Sequence, residues 1–312
     1  MKKLVSIIIP YYNRADYFVR TLQSVAQQVY RPIEVILVDN ASVDTSPQIA
    51  KNFQKQHQGD NLFKVILLST DKQGAAAARN RGLREAHGDY IYFFDSDDEM
   101  SITFTSEAIA TAELENFDVV FAITRIIMEN GDHIVRKYLY SYNPCDQILT
   151  GMLSTQAMFF RTDFIRSIGG WAENLFYWND WELGIRVLLA HPKMIWLKKR
   201  KYHYIFQHAD SITGLFLSDS FSKIMDAFQQ AEKDIYQAPN NIKKVSFRAL
   251  RMRENIIAGH LYHEGHPEQA KKCLLHATNI PATPWIRIVA HFLYFFTRCG
   301  GRGAWRIAHF FC

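Results

Sequence analysis

Cysteine is scarce in this chain. Its 312 residues hold four, Cys145, Cys273, Cys299 and Cys312, with no CxxC pair and no regular spacing. That leaves no disulfide framework to read, and the thiols are expected to stay reduced in a cytosolic protein. No uninterrupted apolar run reaches the roughly 18 residues that a membrane-spanning helix needs. There is no block of like charge and no internal repeat, which excludes wholesale disorder and solenoid architectures. The start, Met1-Lys2-Lys3 followed by Leu4 to Ile9, imitates a secretory leader. Its apolar run is short, however, and Pro10-Tyr11-Tyr12-Asn13-Arg14 stands where small cleavage-site residues belong. It is expected to be the first core strand.

What is present is a hydrophobic chain, 48% apolar, with a net charge of +5. The mild positive balance suits anionic ligands such as nucleotides, or a membrane surface. The length allows one large α/β domain with an extension. Strand and helix signals alternate. Leu4 to Pro10, Ile33 to Val38, Phe63 to Leu68 and Tyr90 to Phe94 read as strands. Asp16 to Gln28, a segment opening at Asp44-Thr45-Ser46-Pro47, and Gly74 to His87 read as helices. This βαβαβαβ order predicts a doubly wound, mainly parallel sheet with helices on both faces. Further strands are predicted at Val119 to Ile123 and around Ile134 to Tyr140. After about Gly214 the strand signals fade, and Phe221 to Ala238 and Lys244 to Leu275 read as a helical extension. Gly259-His260 and Gly265-His266-Pro267 punctuate the second of these.

The richest stretch is Tyr90-Ile91-Tyr92-Phe93-Phe94-Asp95-Ser96-Asp97-Asp98, a buried strand that ends in three acids. In open α/β sheets ligands bind beyond the carboxyl ends of the strands. Carboxylates crowded there repel one another unless a cation lies between them, and carboxylate oxygens suit Mg²⁺ or Mn²⁺.

Five segments in order resemble family 2 glycosyltransferases of the GT-A fold. They are Ser6-Ile7-Ile8-Ile9-Pro10-Tyr11-Tyr12-Asn13-Arg14, Val38-Asp39-Asn40-Ala41-Ser42, Gly74 to Gly82 with Ala78-Arg79-Asn80-Arg81-Gly82, Asp95-Ser96-Asp97-Asp98, and Gly169-Gly170-Trp171-Ala172-Glu173 with Asn179-Asp180-Trp181-Glu182-Leu183. The resemblance covers roughly residues 4 to 210 and implies an inverting, metal-dependent transfer from a nucleotide sugar, with a UDP-sugar the leading donor. With the strand signals fading after about Gly214, the chain is expected to divide into a catalytic domain over 1–214, with donor binding over about 1–125 and acceptor binding over about 126–214, and a helical extension over 215–312.

By the same resemblance, Pro10, Tyr11, Asp39, Arg79, Asn80 and Asp95 contact the donor, and the ring of Tyr11 or of Tyr12 lies against the base. Asp97 ligates the Mn²⁺ or Mg²⁺. Asp95 touches the ribose or the metal through water, and His208 contacts phosphate or metal. Asp98 and Glu99 tune the field or cap the next helix. Asp180 is the general base. The family's acidic pair is Asn179-Asp180 here, so its first acid is missing. Glu182 is a rival, but two positions apart on a helix face roughly 200° away from each other. Trp171, Trp178 and Trp181 offer a platform for the acceptor, a glycan or a lipid-linked sugar of surface polysaccharide synthesis. The basic run Lys198-Lys199-Arg200-Lys201 and His203 follow. Trp285 to Cys312 is rich in aromatic residues, carries four arginines and holds no acid. It reads as a membrane-interface segment or as a helix packed on the protein or a second subunit. The protein is then expected in the cytoplasm, at the inner face of the membrane if the tail binds there, with no nucleic-acid partner. A sugar-phosphate nucleotidyltransferase would show a glycine-rich basic loop after the first strand, and Pro10 to Arg14 is not one. A scaffold with a degenerate site would not be expected to retain Asp39, Asp95, Asp97 and Asp180 together.

Overall fold

A computed structural model describes residues 2–128, 133–135, 140–207 and 216–312, with backbone alone at 128, 133–135, 198–202 and 207. The chain divides into two compact units: one takes 1–140, 153–176 and 192–210, and the other takes 141–152, 177–191 and 211–312. A single boundary near Gly214 was expected. Instead, two short segments of the predicted catalytic part belong with the tail helices.

The first unit holds the whole sheet. Its elements in chain order are β1 (Val5–Tyr11), α1 (Ala15–Ala26), β2 (Ile33–Asp39), α2 (Ser46–Gln56), β3 (Phe63–Ser69), α3 (Ala75–Glu85), β4 (Tyr90–Phe93), β5 (Glu99–Met100), α4 (Phe104–Leu114), β6 (Val119–Met128) and β7 (His133–Val135). After α5 (Pro144–Thr150), which belongs to the second unit, come β8 (Met158–Arg161) and α6 (Thr162–Ser167). Then α7 (Asn179–Leu189), again of the second unit, precedes β9 (Met194–Gln207). The strand order is β3-β2-β1-β4-β8-β6-β9-β5, with β7 paired to β6. The first four strands are mutually parallel, as the alternating pattern predicts. β8 runs antiparallel between β4 and β6.

The side chains of β1 are buried along its whole length, as expected for a strand covered on both faces. Ile7, Ile9 and Tyr11 share a core with Phe18 and Leu22 of α1, Phe53 of α2 and Phe104 of α4. α3 packs on the opposite face, where a Trp171 ring meets Phe93 edge-on at 5.2 Å. β8 was not anticipated, because a four-residue strand with three apolar residues gives no period to read. The expected strand around Ile134 to Tyr140 is observed as β7; residues 136–139 lie outside the described residues. In the pairing of β9 with β6 the register jumps from Leu197 to Lys201, so the basic run Lys198-Lys199-Arg200 falls on a bulge.

The second unit is helical. It joins α5 and α7 to α8 (Phe221–Gln237), α9 (Asn240–His263), α10 (Pro267–Asn279), α11 (Pro284–Arg298) and α12 (Ala304–His309). Gly265 does end a helix, at φ 88°, and Pro267 opens the next. Gly259 does not punctuate anything. It lies inside α9, where an added Cβ would stand 1.7 Å from Thr297 Oγ1 and 2.6 Å from the Tyr294 carbonyl of α11. Glycine there permits two helices to touch.

Candidate functional site

From β1 the chain winds outward through β2 to β3, then returns to place β4 on the other side of β1. Such a reversal opens a crevice at the carboxyl ends of the strands. Pro10 and Tyr11 end β1, and Tyr11 is in register with Asp39 at the end of β2. Phe94 N donates to Ile8 O at 3.0 Å, and the next residue, Asp95, leaves the sheet. The loops beyond β1 and β2 are stitched together. Asn13 Oδ1 accepts from Val43 N at 2.9 Å, and Asp44 accepts from Ala15 N at 3.0 Å and Ser46 N at 2.9 Å. One acid thus accepts from the first N–H of both α1 and α2. Asp39 Oδ1 accepts from Ser42 N at 2.9 Å, closing its own turn.

Arg79 is buried on α3. Its Nη2 lies 2.6 Å from Asp95 Oδ1, and its guanidinium lies 4.3 Å over the Trp171 ring. Its Nε and Nη1 are buried with no hydrogen-bond partner among the described residues. Asp95 Oδ2 accepts from Gln156 Nε2 at 2.7 Å, and the same nitrogen donates to Asp98. Asp98 is buried and also accepts from Phe206 N at 3.0 Å. Burial, then the neighbouring Asp97 and Asp95, push its carboxyl well above the usual range. Asp97 Oδ2 lies 3.3 Å from Arg14 Nε. α1 grips the acidic loop from below: Arg20 Nη2 donates to Asp97 O and Thr21 Oγ1 to Asp98 O, both at 2.8 Å. Glu99 sits in β5, 3.5 Å from Arg20 Nε. Sequence reasoning passed over Arg14, Arg20 and Gln156. Arg14 belongs to a recognised segment, whereas Arg20 and Gln156 carry no local signal.

Several expected contacts are redirected. The Tyr11 ring packs in the core against Phe18, so Tyr12, 51% exposed, is the tyrosine that presents its ring. Asn80 is occupied within the protein: Nδ2 donates to Trp171 O and Glu173 Oε1, and Oδ1 accepts from Trp171 N, all at 2.9 Å. Gly170, at φ 68°, allows this, since a Cβ there would stand 2.5 Å from Asn80 Oδ1. Trp171 is 2% exposed and lies under Arg79, so it offers no free face to a sugar. His203 is fully buried beside the Tyr92 hydroxyl at 3.0 Å, and burial lowers it to about 3, so it is a neutral core residue.

In the helical unit, Asp180 stands in the first turn of α7 and is partly exposed. Its Oδ1 accepts from Trp181 N at 2.8 Å. Glu182 points the other way, as the helical spacing requires. It is fully buried and forms an ion pair with Arg186, with Nη2 to Oε2 at 2.9 Å. Trp181 is buried, donating from Nε1 to Ile148 O at 3.1 Å. Trp178, at φ 55°, is only partly buried, with Arg253 5.2 Å over its ring and Phe228 at its edge. Of the three tryptophans it alone is not fully buried.

Asp95 and Asp97 place two hard oxygen donors on one loop, which fits a Mn²⁺ or Mg²⁺ ion that completes its shell with phosphate oxygens and water. Among the described residues no group of three His, Cys, Asp or Glu side chains is arranged to enclose a metal by itself. His208 lies outside the described residues.

Known proteins share this fold. The structure is similar to that of residues 1–349 of TarS from S. aureus in complex with UDP, with a TM-score of 0.70 at 20% identity, covering 99% of this chain and 90% of that one. It is also similar to the mannosyltransferase PcManGT from Pyrobaculum calidifontis in complex with GDP-Man and Mn²⁺, at a TM-score of 0.61 and 16% identity, over 99% and 86% of the two chains. These likenesses show the fold, of the GT-A type. In sequence, the chain is 37% identical over 120 residues to the glycosyltransferase GlyG of Streptococcus pneumoniae serotype 4, a match covering 38% of either protein. It is 28% identical over 181 residues to the glycosyltransferase AglE of Haloferax volcanii, covering 56% of this chain and 58% of AglE. The family model for glycosyl transferase family 2 matches residues 6–169, more than half of the sequence, and the chain belongs to that family.

Proposed function

We propose that the protein is a metal-dependent, inverting glycosyltransferase that takes a nucleoside diphosphate sugar, first a UDP-sugar, and extends a glycan or lipid-linked acceptor of a surface polysaccharide. The observation that carries this reading is Asp95, held between the buried Arg79 guanidinium and Gln156 where the strand order reverses. The UDP in the TarS complex and the GDP-Man and Mn²⁺ in the PcManGT complex support the donor class and the cation.

In this reading Asp39 accepts hydrogen bonds from the base or ribose, beside the backbone of Pro10 and Tyr11. Arg79 meets the donor's negative charge with Nε and Nη1, which have no hydrogen-bond partner among the described residues. Asp97 is the direct ligand of the cation, and Asp95 helps through the ribose or a water. Bound there, a divalent ion supplies Lewis-acid stabilisation of the leaving diphosphate. Asp180 takes the proton of the acceptor hydroxyl as its oxygen bonds to the anomeric carbon. The bond from that carbon to the diphosphate breaks, and the nucleoside diphosphate departs with the electron pair. The assignment of Asp180 rests on the family motif. Trp178, which alone of the three tryptophans is not fully buried, is the one that can touch the acceptor.

A thermal-shift screen of UDP-, GDP- and dTDP-sugars with and without Mn²⁺ tests the donor class, because a ligand that binds only the folded state raises its melting temperature. A shift by one nucleotide class that requires Mn²⁺, together with slow sugar release without acceptor, is expected. Binding with neither hydrolysis nor transfer would make the protein a scaffold. No shift with any donor would sink the reading.

A further inference from the structure

The face of α11 that turns away from the protein is an exposed apolar ridge. Trp285, Ile288, Phe292 and Phe295 recur at spacings of three, four and three, and are 60%, 60%, 54% and 54% exposed. Phe292 stacks on Phe296 at 6.2 Å, Trp285 lies 6.4 Å from Phe311, and Phe310 is 84% exposed. The opposite face, with Ile286, Val289, Ala290, Leu293 and Thr297, is buried. At 100° per residue, Arg287, His291 and Arg298 lie about 80–120° from the aromatic ridge, all on one flank. Arg287, His291, Arg302 and Arg306 are exposed. No Asp or Glu follows Glu268, while six Lys or Arg do. α11 therefore has three faces: one packed, one basic and one of bare aromatic and aliphatic rings. A water-facing helix gains nothing from such a ridge, and ridges of this kind mark an interaction surface.

We propose that α11 and α12 form a docking surface for an anionic lipid bilayer, with the ridge sunk in the headgroup region and the arginines at the phosphates. Charge selects this occupant. A second copy seated on the same ridge would bring two acid-free basic flanks together, whereas anionic headgroups neutralise them. The side chains agree, since Trp and Phe with flanking Arg suit the boundary between headgroups and acyl chains. Among the described residues no helix is long and apolar enough to cross a membrane, so the contact is peripheral. The inference does not depend on the proposed reaction.

Flotation of the full chain with vesicles of equimolar phosphatidylglycerol and phosphatidylcholine, and with pure phosphatidylcholine, tests it. The chain is expected to float with the anionic vesicles at least about tenfold better than with the neutral ones, and to be released by high salt. A Trp285→Ser/Phe292→Ser/Phe295→Ser variant, altered only at exposed positions, should keep its melting temperature and lose binding about tenfold or more. An Arg287→Gln/Arg302→Gln/Arg306→Gln variant should lose the anionic preference. Equal binding by the variants, or no flotation of the intact chain, overturns the proposal. So does a dimer in sedimentation that the ring substitutions dissolve, which would give the face to a second copy.

Discussion

At the scale of single residues, the acidic loop is controlled by arginines. Asp97 is paired with Arg14 at 3.3 Å, so a cation already faces the proposed metal ligand. Asp97→Asn is expected to abolish Mn²⁺-dependent donor binding while circular dichroism and melting stay near wild type. Wild-type affinity in that variant would falsify the metal role. Arg14→Gln removes a competing charge and should tighten Mn²⁺ binding several-fold in calorimetry; weaker binding would mean that Arg14 orders Asp97 for the ion. The two acids of α7 separate cleanly. Asp180→Asn should bind donor and metal nearly as well as wild type, yet transfer sugar slower by roughly 10²–10⁴-fold, the usual worth of a positioned base. Glu182→Gln acts on stability instead, because it removes the charge paired with the buried Arg186 and leaves Asp234 as the acid beside it, a change that should cost about 1–3 kcal/mol. Urea unfolding together with single-turnover rates tells the two apart.

Elements were legible where a period or a capping signal existed. The parallel strands β1 to β4 could be read because fully covered strands are continuous apolar runs, and α3 because Gly74 to Gly82 carries a recognisable segment. β8 and the inclusion of α5 and α7 in the helical unit could not be read, since both depend on long-range partners such as the bond from Gln147 Nε2 to Trp181 O at 3.0 Å. In the same way Tyr11, Asn80 and Trp171 were placed correctly in the chain, but their burial is decided by neighbours far along it. Gly259 shows the limit most plainly. Its sequence context suggests a break, and its role is close packing of α9 on α11. Gly259→Ala should destabilise the protein by about 1–3 kcal/mol through crowding against Thr297 and Tyr294. Gly265→Ala meets nothing within 4 Å and carries only the cost of its left-handed backbone, about 1–2 kcal/mol. A Gly259→Ala midpoint in urea equal to wild type would mean that α9 and α11 can move apart freely.

For the molecule as a whole, the buried acids of the helical unit set how stability depends on pH. Asp234 lies against Glu182 and Arg186 and accepts from Gln230 Nε2 at 3.0 Å; burial, then the Glu182 charge, raise it from 3.8 to about 7. Glu254 of α9 faces His276 at 3.0 Å, with Glu232 and Arg251 nearby, and burial raises it from 4.5 to about 7. His276 is itself raised, first by its hydrogen bond to Glu254. An acid whose folded pKa lies above its unfolded value contributes stability that is complete below the unfolded value and lost as the pH climbs through the folded one. The raised histidine has the same sign, its contribution complete below 6.5 and lost above. Below pH 6.5 the buried His203, lowered to about 3, and the lowered His57 and His260 act in the opposite sense, so the melting temperature should fall only as the pH rises from about 6.5 to 8. Asp234→Asn keeps a group that can accept from Gln230 but carries no charge to bury. It is expected to flatten the decline, melting at or above wild type at pH 8 and closer to it at pH 5. A variant that melts lower at pH 8 would mean that the Asp234 carboxylate is needed by Arg186, and that its charge stabilises the unit instead of opposing it.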